Sequence, residues 1–191
     1  MTSQPLSPQS PVVIVLAAGR GERFRAAGGQ TGKLEALLAG RPVLDHVLDA
    51  VRHSGLSCHV VRPQHLAHLP GAGMGDSIAS GVRATADAAA WLVLPGDLPL
   101  IRPDTLRRVA DALMALPPGQ STVQPQFRGQ RGHPVGFRRP CLAALCALQG
   151  DEGARGVLRV WPAQQLDVDD EGAVWDVDTP ERLQVAAGRL A

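Results

Sequence analysis

Val12-Val13-Ile14-Val15-Leu16-Ala17 runs straight into Ala18-Gly19-Arg20-Gly21-Glu22-Arg23-Phe24. The first half is an unbroken apolar, β-branched run between Pro11 and Gly19, the pattern of a strand buried on both faces of a parallel sheet. The second half is small and basic, and small residues let backbone N–H groups approach a phosphate chain closely. In an open α/β sheet, ligands bind beyond the carboxyl ends of the strands. A strand that empties into such a loop therefore predicts a fold class and a site together. The loop is not a dinucleotide fingerprint, because the third Gly of GxGxxG falls on Phe24. It is not a Walker A loop, because Gly32-Lys33 is followed by Leu34. A flexible surface loop is the plainer reading of the glycines alone; the strand in front of them favours phosphate.

The rest of the chain extends this pattern. Val43, Leu44, Val47, Leu48 and Val51 recur at helical spacing, with Pro42 at a first helical position and Gly55 as a stop. CHVV (58–61) reads as a strand, 75–88 as a helix entered through glycines, WLVLP (91–95) as a strand, and 103–116 as a helix. This β-α-β-α-β-α order predicts a parallel sheet with right-handed crossovers. STVQPQF and HPVGF, flanking Arg128-Gly129-Gln130-Arg131, read as a hairpin insertion. Helices near 139–148 and 152–160, a strand near 164–168 and a closing helix from Thr179 complete the chain.

Composition narrows the classes of function. The chain has 191 residues, a net charge of +1, and 45% apolar against 19% charged residues, which suits one folded domain over 11–191. The leader MTSQPLSPQS is polar and predicts a disordered segment over 1–10. Near-neutral charge and few aromatics argue against a nucleic-acid binder. No apolar run reaches membrane-spanning length, and a cytoplasmic location is the simplest expectation. Three cysteines without a CxxC make a disulfide framework or four-Cys zinc site unexpected. The basic residues are 18 Arg and one Lys, Lys33.

Further motifs carry candidate chemistry. Gly73-Met74-Gly75-Asp76-Ser77-Ile78-Ala79-Ser80-Gly81 leads glycines into a helix. Its first turn suits a phosphate, ribose or base edge, or ordinary capping by Asp76 or Ser77. In Leu94-Pro95-Gly96-Asp97-Leu98-Pro99, a carboxylate ends a buried strand between stiffening prolines. That place suits Mg2+, which takes carboxylates plus substrate phosphates, although Asp is also a common turn residue. His133, in Gly132-His133-Pro134, could face a substrate or be structural. Asp176 and Asp178 share one side of an extended stretch; one of them is a candidate second Mg2+ ligand, and capping by Asp178 or Thr179 competes.

Six blocks, LAAGRGERF (16–24) with Lys33, GMGDSIASG (73–81), LPGDLPLI (94–101), GHPVGF (132–137), GDEGAR (150–155) and DVDTPERL (176–183), occur in one order. Together they resemble the MobA-like nucleotidyltransferases of molybdenum cofactor maturation, over about residues 12–185. LAAG and GD-P resemble the cytidylyltransferase branch; the guanylyltransferase branch more typically has LAGG and CD-P. The resemblance implies a three-layer Rossmann-like fold, mostly parallel, with an inserted hairpin region. It implies transfer of CMP from CTP to the terminal phosphate of the molybdenum (molybdopterin) cofactor, with release of pyrophosphate. Carried over by motif, Leu16, Ala17, Ala18, Gly19 and Gly21, with Arg23 and Lys33, would hold the triphosphate. Asp97 would hold Mg2+, with Asp178 as a further metal contact. Gly75, Ser77 and Ser80 would lie near base and ribose, and His133 toward the pterin. The expected partners are nucleotide and pterin small molecules and a recipient molybdoenzyme, with no nucleic acid and no membrane. The alternatives are the same fold using GTP or a sugar-phosphate acceptor, and a cofactor-binding chaperone. Arg23 and Lys33 stand ten apart, wider than in much of the family, so the loop between them must fold back to deliver the lysine.

Overall fold

In chain order the elements are β1 (Pro11–Leu16), α1 (Glu22–Ala26), β2 (Leu37–Leu38), β3 (Arg41–Pro42), α2 (Val43–Ser54), β4 (Ser57–Val61), α3 (Met74–Ala84) and β5 (Ala90–Pro95). Then follow α4 (Pro103–Met114), β6 (Thr122–Phe127), β7 (Gln130–Arg131), β8 (Val135–Arg138), α5 (Leu142–Cys146), α6 (Arg155–Val160), β9 (Gln164–Asp167) and α7 (Pro180–Leu190). The structure, a computed structural model, describes residues 10–19 and 21–190. The leader read at 1–10 thus lies outside the described residues but for Ser10, as does Arg20 of the glycine loop.

The main sheet has the order β4-β1-β5-β8-β6, with β9 on the far edge of β6 and β7 extending the β8 side. β1 is parallel to both neighbours, with Val12 opposite Ser57 and Trp91. Flanked on both edges and covered on both faces, it can be apolar throughout. Its alternation assigns the two faces. Val13 and Val15 join a core with Val47 of α2, Leu106 of α4 and Ala186 of α7. Val12 and Ile14 join another with Ile78 of α3, Leu145 of α5 and Val157 of α6. The result is three layers, helix–sheet–helix, as the sequence predicts.

The two arms read as a hairpin insertion belong to this sheet. β8 runs antiparallel between β5 and β6, pairing Leu92 with Gly136 on one side and Val123 with Gly136 on the other. Where it begins, just after His133, is the sheet end at which β1 and β5 finish. Asp170 fixes the neighbouring 3-10 turn Glu171–Val174: its carboxylate accepts from Gly172 N–H (2.9 Å), Arg102 N–H (3.0 Å) and Thr105 Oγ1 (2.6 Å) at the start of α4.

Several local expectations change. The stretch read as a loop to Gly32 contains α1, and the β2–β3 hairpin follows it. Pro42 is extended (ψ 141°) and precedes the helix instead of opening it. α3 stops at Ala84: at Thr85 the backbone leaves helical geometry (φ −129°, ψ 33°), and the Thr85 hydroxyl donates to Gly81 O (2.9 Å).

Candidate active site

A cleft of about 700 Å³ opens at the carboxyl ends of β1 and β5. Leu16, Ala18, Gly19, Gly21 and Arg23 line one wall. Gly21 has φ 62°, the left-handed region that glycine adopts freely, and a Cβ there would lie 3.3 Å from Lys33 N. The loop folds back through α1. Phe24 is only 3% exposed, and Gly29 crosses its ring so closely that a Cβ would sit 2.2 Å from it. Gly28 N–H donates to Arg25 O (2.9 Å) and Gly29 N–H to Phe24 O (3.0 Å). Beyond the turn, Glu35 and Ala36 N–H both donate to Gly32 O, and Leu34 and Ala36 are buried. An aromatic anchor before the excursion and an apolar one after it return Lys33 to the cleft despite its wide spacing from Arg23.

Lys33 Nζ donates to Asp97 Oδ2 and to Asp178 Oδ1 (2.9 Å), and Arg23 Nη1 donates to Asp178 Oδ2 (3.2 Å). Asp97 follows β5, where Gly96 N–H donates to Leu16 O (2.9 Å) and draws the two strand ends together. Its own carbonyl accepts from Val177 N–H (2.9 Å), which pins the 176–178 stretch across the cleft. Asp97 is 8% exposed, and its second oxygen, Oδ1, is buried with no hydrogen-bond partner. Burial favours a neutral Lys33, but the charges and hydrogen bonds of Asp97 and Asp178 outweigh it and raise its pKa. Burial likewise opposes the Asp178 carboxylate, and Lys33, then Arg23, hold it below its ordinary range.

The acidic pair splits. Thr179 Oγ1 accepts from Arg182 N–H (3.3 Å) at the start of α7, which leaves Asp178 to the cluster. Asp176 instead pairs with Arg182 (Nη2 to Oδ1, 2.9 Å). Arg182 and Arg189 stack on Trp175 at 4.5 and 3.9 Å, fixing this stretch from outside.

The opposite wall carries Gln130, Arg131, Gly132, His133, Ala173 and Val174. His133 N–H donates to Ala173 O (2.8 Å) and Gly132 N–H to Pro125 O (2.8 Å). A Cβ on Gly132 would lie 2.5 Å from Ala173 O, so only glycine allows this approach. His133 Nδ1 is buried without a partner, and burial pushes the ring toward its neutral form against the pull of Asp97. From α3, Met74 and Ser77 reach the cleft.

The remaining candidates lie elsewhere. Ala17 is in the core, its N–H bonded to Val61 O (2.9 Å). Gly75 packs on backbone, donating to Gly150 O (2.7 Å), with Gln149 O 2.7 Å from where a Cβ would be. Ser80 is half-buried on α3 and does not line the cleft. Asp76 caps, its Oδ2 accepting from Gly73 and Gly150 N–H (2.9 Å each), bonds that hold its pKa below the ordinary value. Arg131 is a lining residue the motifs did not single out, although it immediately precedes the Gly132-His133 block.

Among the described residues, five carboxylates (Glu22, Asp97, Asp151, Asp176, Asp178) line the cleft against three fixed cations (Arg23, Lys33, Arg131). Among these described side chains acidic groups outnumber fixed cations, and a polyphosphate entering such a cleft gains from any further positive charge it brings with it. No three His, Cys, Asp or Glu side chains of the described residues gather as a metal group. Two carboxylates, one with a buried free oxygen, already grip a cation between them in the form of the Lys33 ammonium. That donor set suits a hard ion completed by substrate phosphates and water, and does not suit a closed zinc site.

A mostly parallel sheet whose strand ends gather a glycine loop, a lysine and two carboxylates is an α/β architecture with its ligand cleft at the carboxyl ends of the strands. The comparisons refine this. Residues 13–168 match the MobA-like NTP transferase domain, and the chain belongs to that family. It is 31% identical over 203 residues to the purine catabolism protein PucB of Bacillus subtilis, covering 93% of this chain and 97% of PucB. It is also 31% identical over 176 residues to the bifunctional protein GlmU of Xanthomonas campestris, covering 83% of this chain but 34% of GlmU, so it spans about a third of that relative. Rv0371c of Mycobacterium tuberculosis has the same fold (TM-score 0.74, 22% identity, 96% of this chain and 100% of that one), and a manganese complex of Rv0371c is also known. No helix among the described residues is long and apolar enough to cross a membrane.

Proposed function

We propose that the protein is a Mg2+-dependent cytidylyltransferase that transfers CMP from CTP to the terminal phosphate of a molybdopterin-type cofactor. The observation that carries the reading is the Lys33–Asp97–Asp178 cluster beside the glycine loop at the ends of β1 and β5. The six ordered motifs support the acceptor, and LAAG with GD-P supports the base.

In this reading the loop at 16–21, with Arg23 and Lys33, takes the triphosphate. An oxygen of the acceptor phosphate attacks the α-phosphorus in line; that P–O bond forms as the bond to the β-phosphate oxygen breaks, and pyrophosphate leaves with the electron pair. The acceptor oxygen is already ionised near neutral pH, so no general base is needed. Asp97 and Asp178 would hold Mg2+, which when bound supplies Lewis-acid charge neutralisation. Lys33 and Arg23 neutralise the departing pyrophosphate, and the wall of Gly132 and His133 orients the acceptor. Residues 11–191 act as one domain.

The test is pyrophosphate release with Mg2+, a panel of nucleotides, and either molybdopterin or a sugar phosphate as acceptor. Release with CTP is expected. Release with GTP alone overturns the base, release only with a sugar phosphate overturns the acceptor, and release with nothing overturns the enzyme in favour of a carrier.

A further inference from the structure

We infer that Lys33 is the resident counter-ion of the metal seat: in the nucleotide-free protein its ammonium takes the carboxylate oxygens a divalent ion needs, so metal enters with the nucleotide and not ahead of it. The inference rests on the nucleotidyl-transfer reading of the site. Nζ is hydrogen-bonded to Asp97 Oδ2 and Asp178 Oδ1 at once, and Arg23 takes the remaining oxygen of Asp178. Asp97 Oδ1 is the one oxygen of the four without a partner, and it is buried. A free divalent ion would have to share these carboxylates with an ammonium and a guanidinium, and like charges so close repel strongly.

A triphosphate removes the conflict. It brings the oxygens to which Lys33 can transfer, and its negative charge offsets the ion that follows. Lys33 can make the move because its backbone is fixed while its head is not. Gly32 O and buried Leu34 hold the main chain, and the ammonium sits on a flexible four-carbon stem. Lys33 therefore acts twice: it bridges the two carboxylates before substrate arrives, and then it follows the phosphates.

The sole lysine of the chain makes the test direct. Mn2+ binding to nucleotide-free protein is followed by loss of the free-ion EPR signal, for wild type, Lys33→Met and Lys33→Arg. Lys33→Met should bind Mn2+ about ten- to a hundredfold more tightly than wild type, the worth of one or two charge-assisted hydrogen bonds. Lys33→Arg, which keeps a cation in the seat, should stay weak. Equal Mn2+ affinity in wild type and Lys33→Met overturns the inference. A second measurement needs no variant. Protein labelled with 15N-lysine gives one side-chain ammonium resonance, which millimolar Mg2+ alone should leave in place and Mg2+ with CTP should shift. Displacement by Mg2+ alone overturns the inference. The Mn2+ comparison uses no nucleotide, so it decides the point even if CTP proves to be the wrong substrate.

Discussion

Replacing Phe24 by Ala isolates the part of the loop that returns Lys33 to the cleft. The ring is 3% exposed in the core that residues of α2 share, and Gly29 lies against it. Truncating such a ring in an unyielding site costs about 3–5 kcal/mol. The stretch it anchors is weak: residues 25–28 are exposed, and a few backbone hydrogen bonds (Ala27 N–H to Arg23 O, Gly28 to Arg25 O, Gly29 to Phe24 O) hold it. That stretch should detach before the sheet yields, so the loss in global stability should fall short of about 3 kcal/mol. Lys33 then loses the anchor on one side and keeps only the Leu34 side. Hydrogen exchange should show the amides of Ala27, Gly28 and Gly29 losing protection while β1 and β5 keep theirs. Calorimetric affinity for Mg2+ with CTP should fall about tenfold, the cost of ordering the segment anew on binding. Lost protection at 27–29 with wild-type nucleotide affinity would refute the reasoning, because the anchor would then hold nothing the ligand uses.

Three other outcomes follow from the same geometry. Asp97→Asn should cut pyrophosphate release by at least about a hundredfold while leaving the melting temperature near wild type, since Lys33 keeps Asp178 and an unpartnered buried carboxylate oxygen becomes part of a neutral amide. Gly132→Ala, with its Cβ 2.5 Å from Ala173 O, should lower stability by about 1–3 kcal/mol in urea denaturation. It should also raise KM for the acceptor more than KM for CTP. Asp76→Ala should cost about 1 kcal/mol at neutral pH through the lost cap. Because folding lowers the Asp76 pKa, the wild type holds its advantage above the ordinary value of 3.8 and loses it as pH falls through the lowered one. Denaturation at pH 7 and pH 3 should therefore find the two proteins converging in acid.

Much of the fold was legible because strand burial writes itself into composition: 12–17 and 91–95 are apolar without a break, and α2 and α4 carry regular apolar faces between Pro and Gly punctuation. What sequence could not give was short or distant. α1 is five residues long, too brief for periodicity to register, and its anchor looks like any Phe in a glycine-rich loop. β2 and β3 are two residues each. At the site, Gly19, Gly21, Arg23, Lys33, Asp97 and His133 were readable from motifs next to strand ends, and all line the cleft. The division of labour between Asp176 and Asp178 depends on Arg182 and Thr179 on one side and on Lys33, 145 residues away, on the other. Gly75 and Ser80 share a glycine-led helix with Ser77. Whether a helical residue meets a cleft or a neighbouring backbone depends on packing that a single sequence does not state.

The reversed direction of β8 carries a consequence for divergence. A parallel strand offers a site the residues that follow it, so that end is committed to the crossover leading into the next helix. β8, running the other way, offers the residues that precede it, and those belong to a tight hairpin that turns at Arg128 and Gly129, both at positive φ. One wall of the cleft is therefore tied into the winding of the domain, while the other hangs from a turn that can lengthen, shorten or change its side chains without re-routing the chain. Under the proposed reading, in which this wall orients the acceptor, a lineage or a protein engineer could retool which molecule receives the nucleotidyl group at that turn and leave the Lys33, Asp97 and Asp178 constellation untouched.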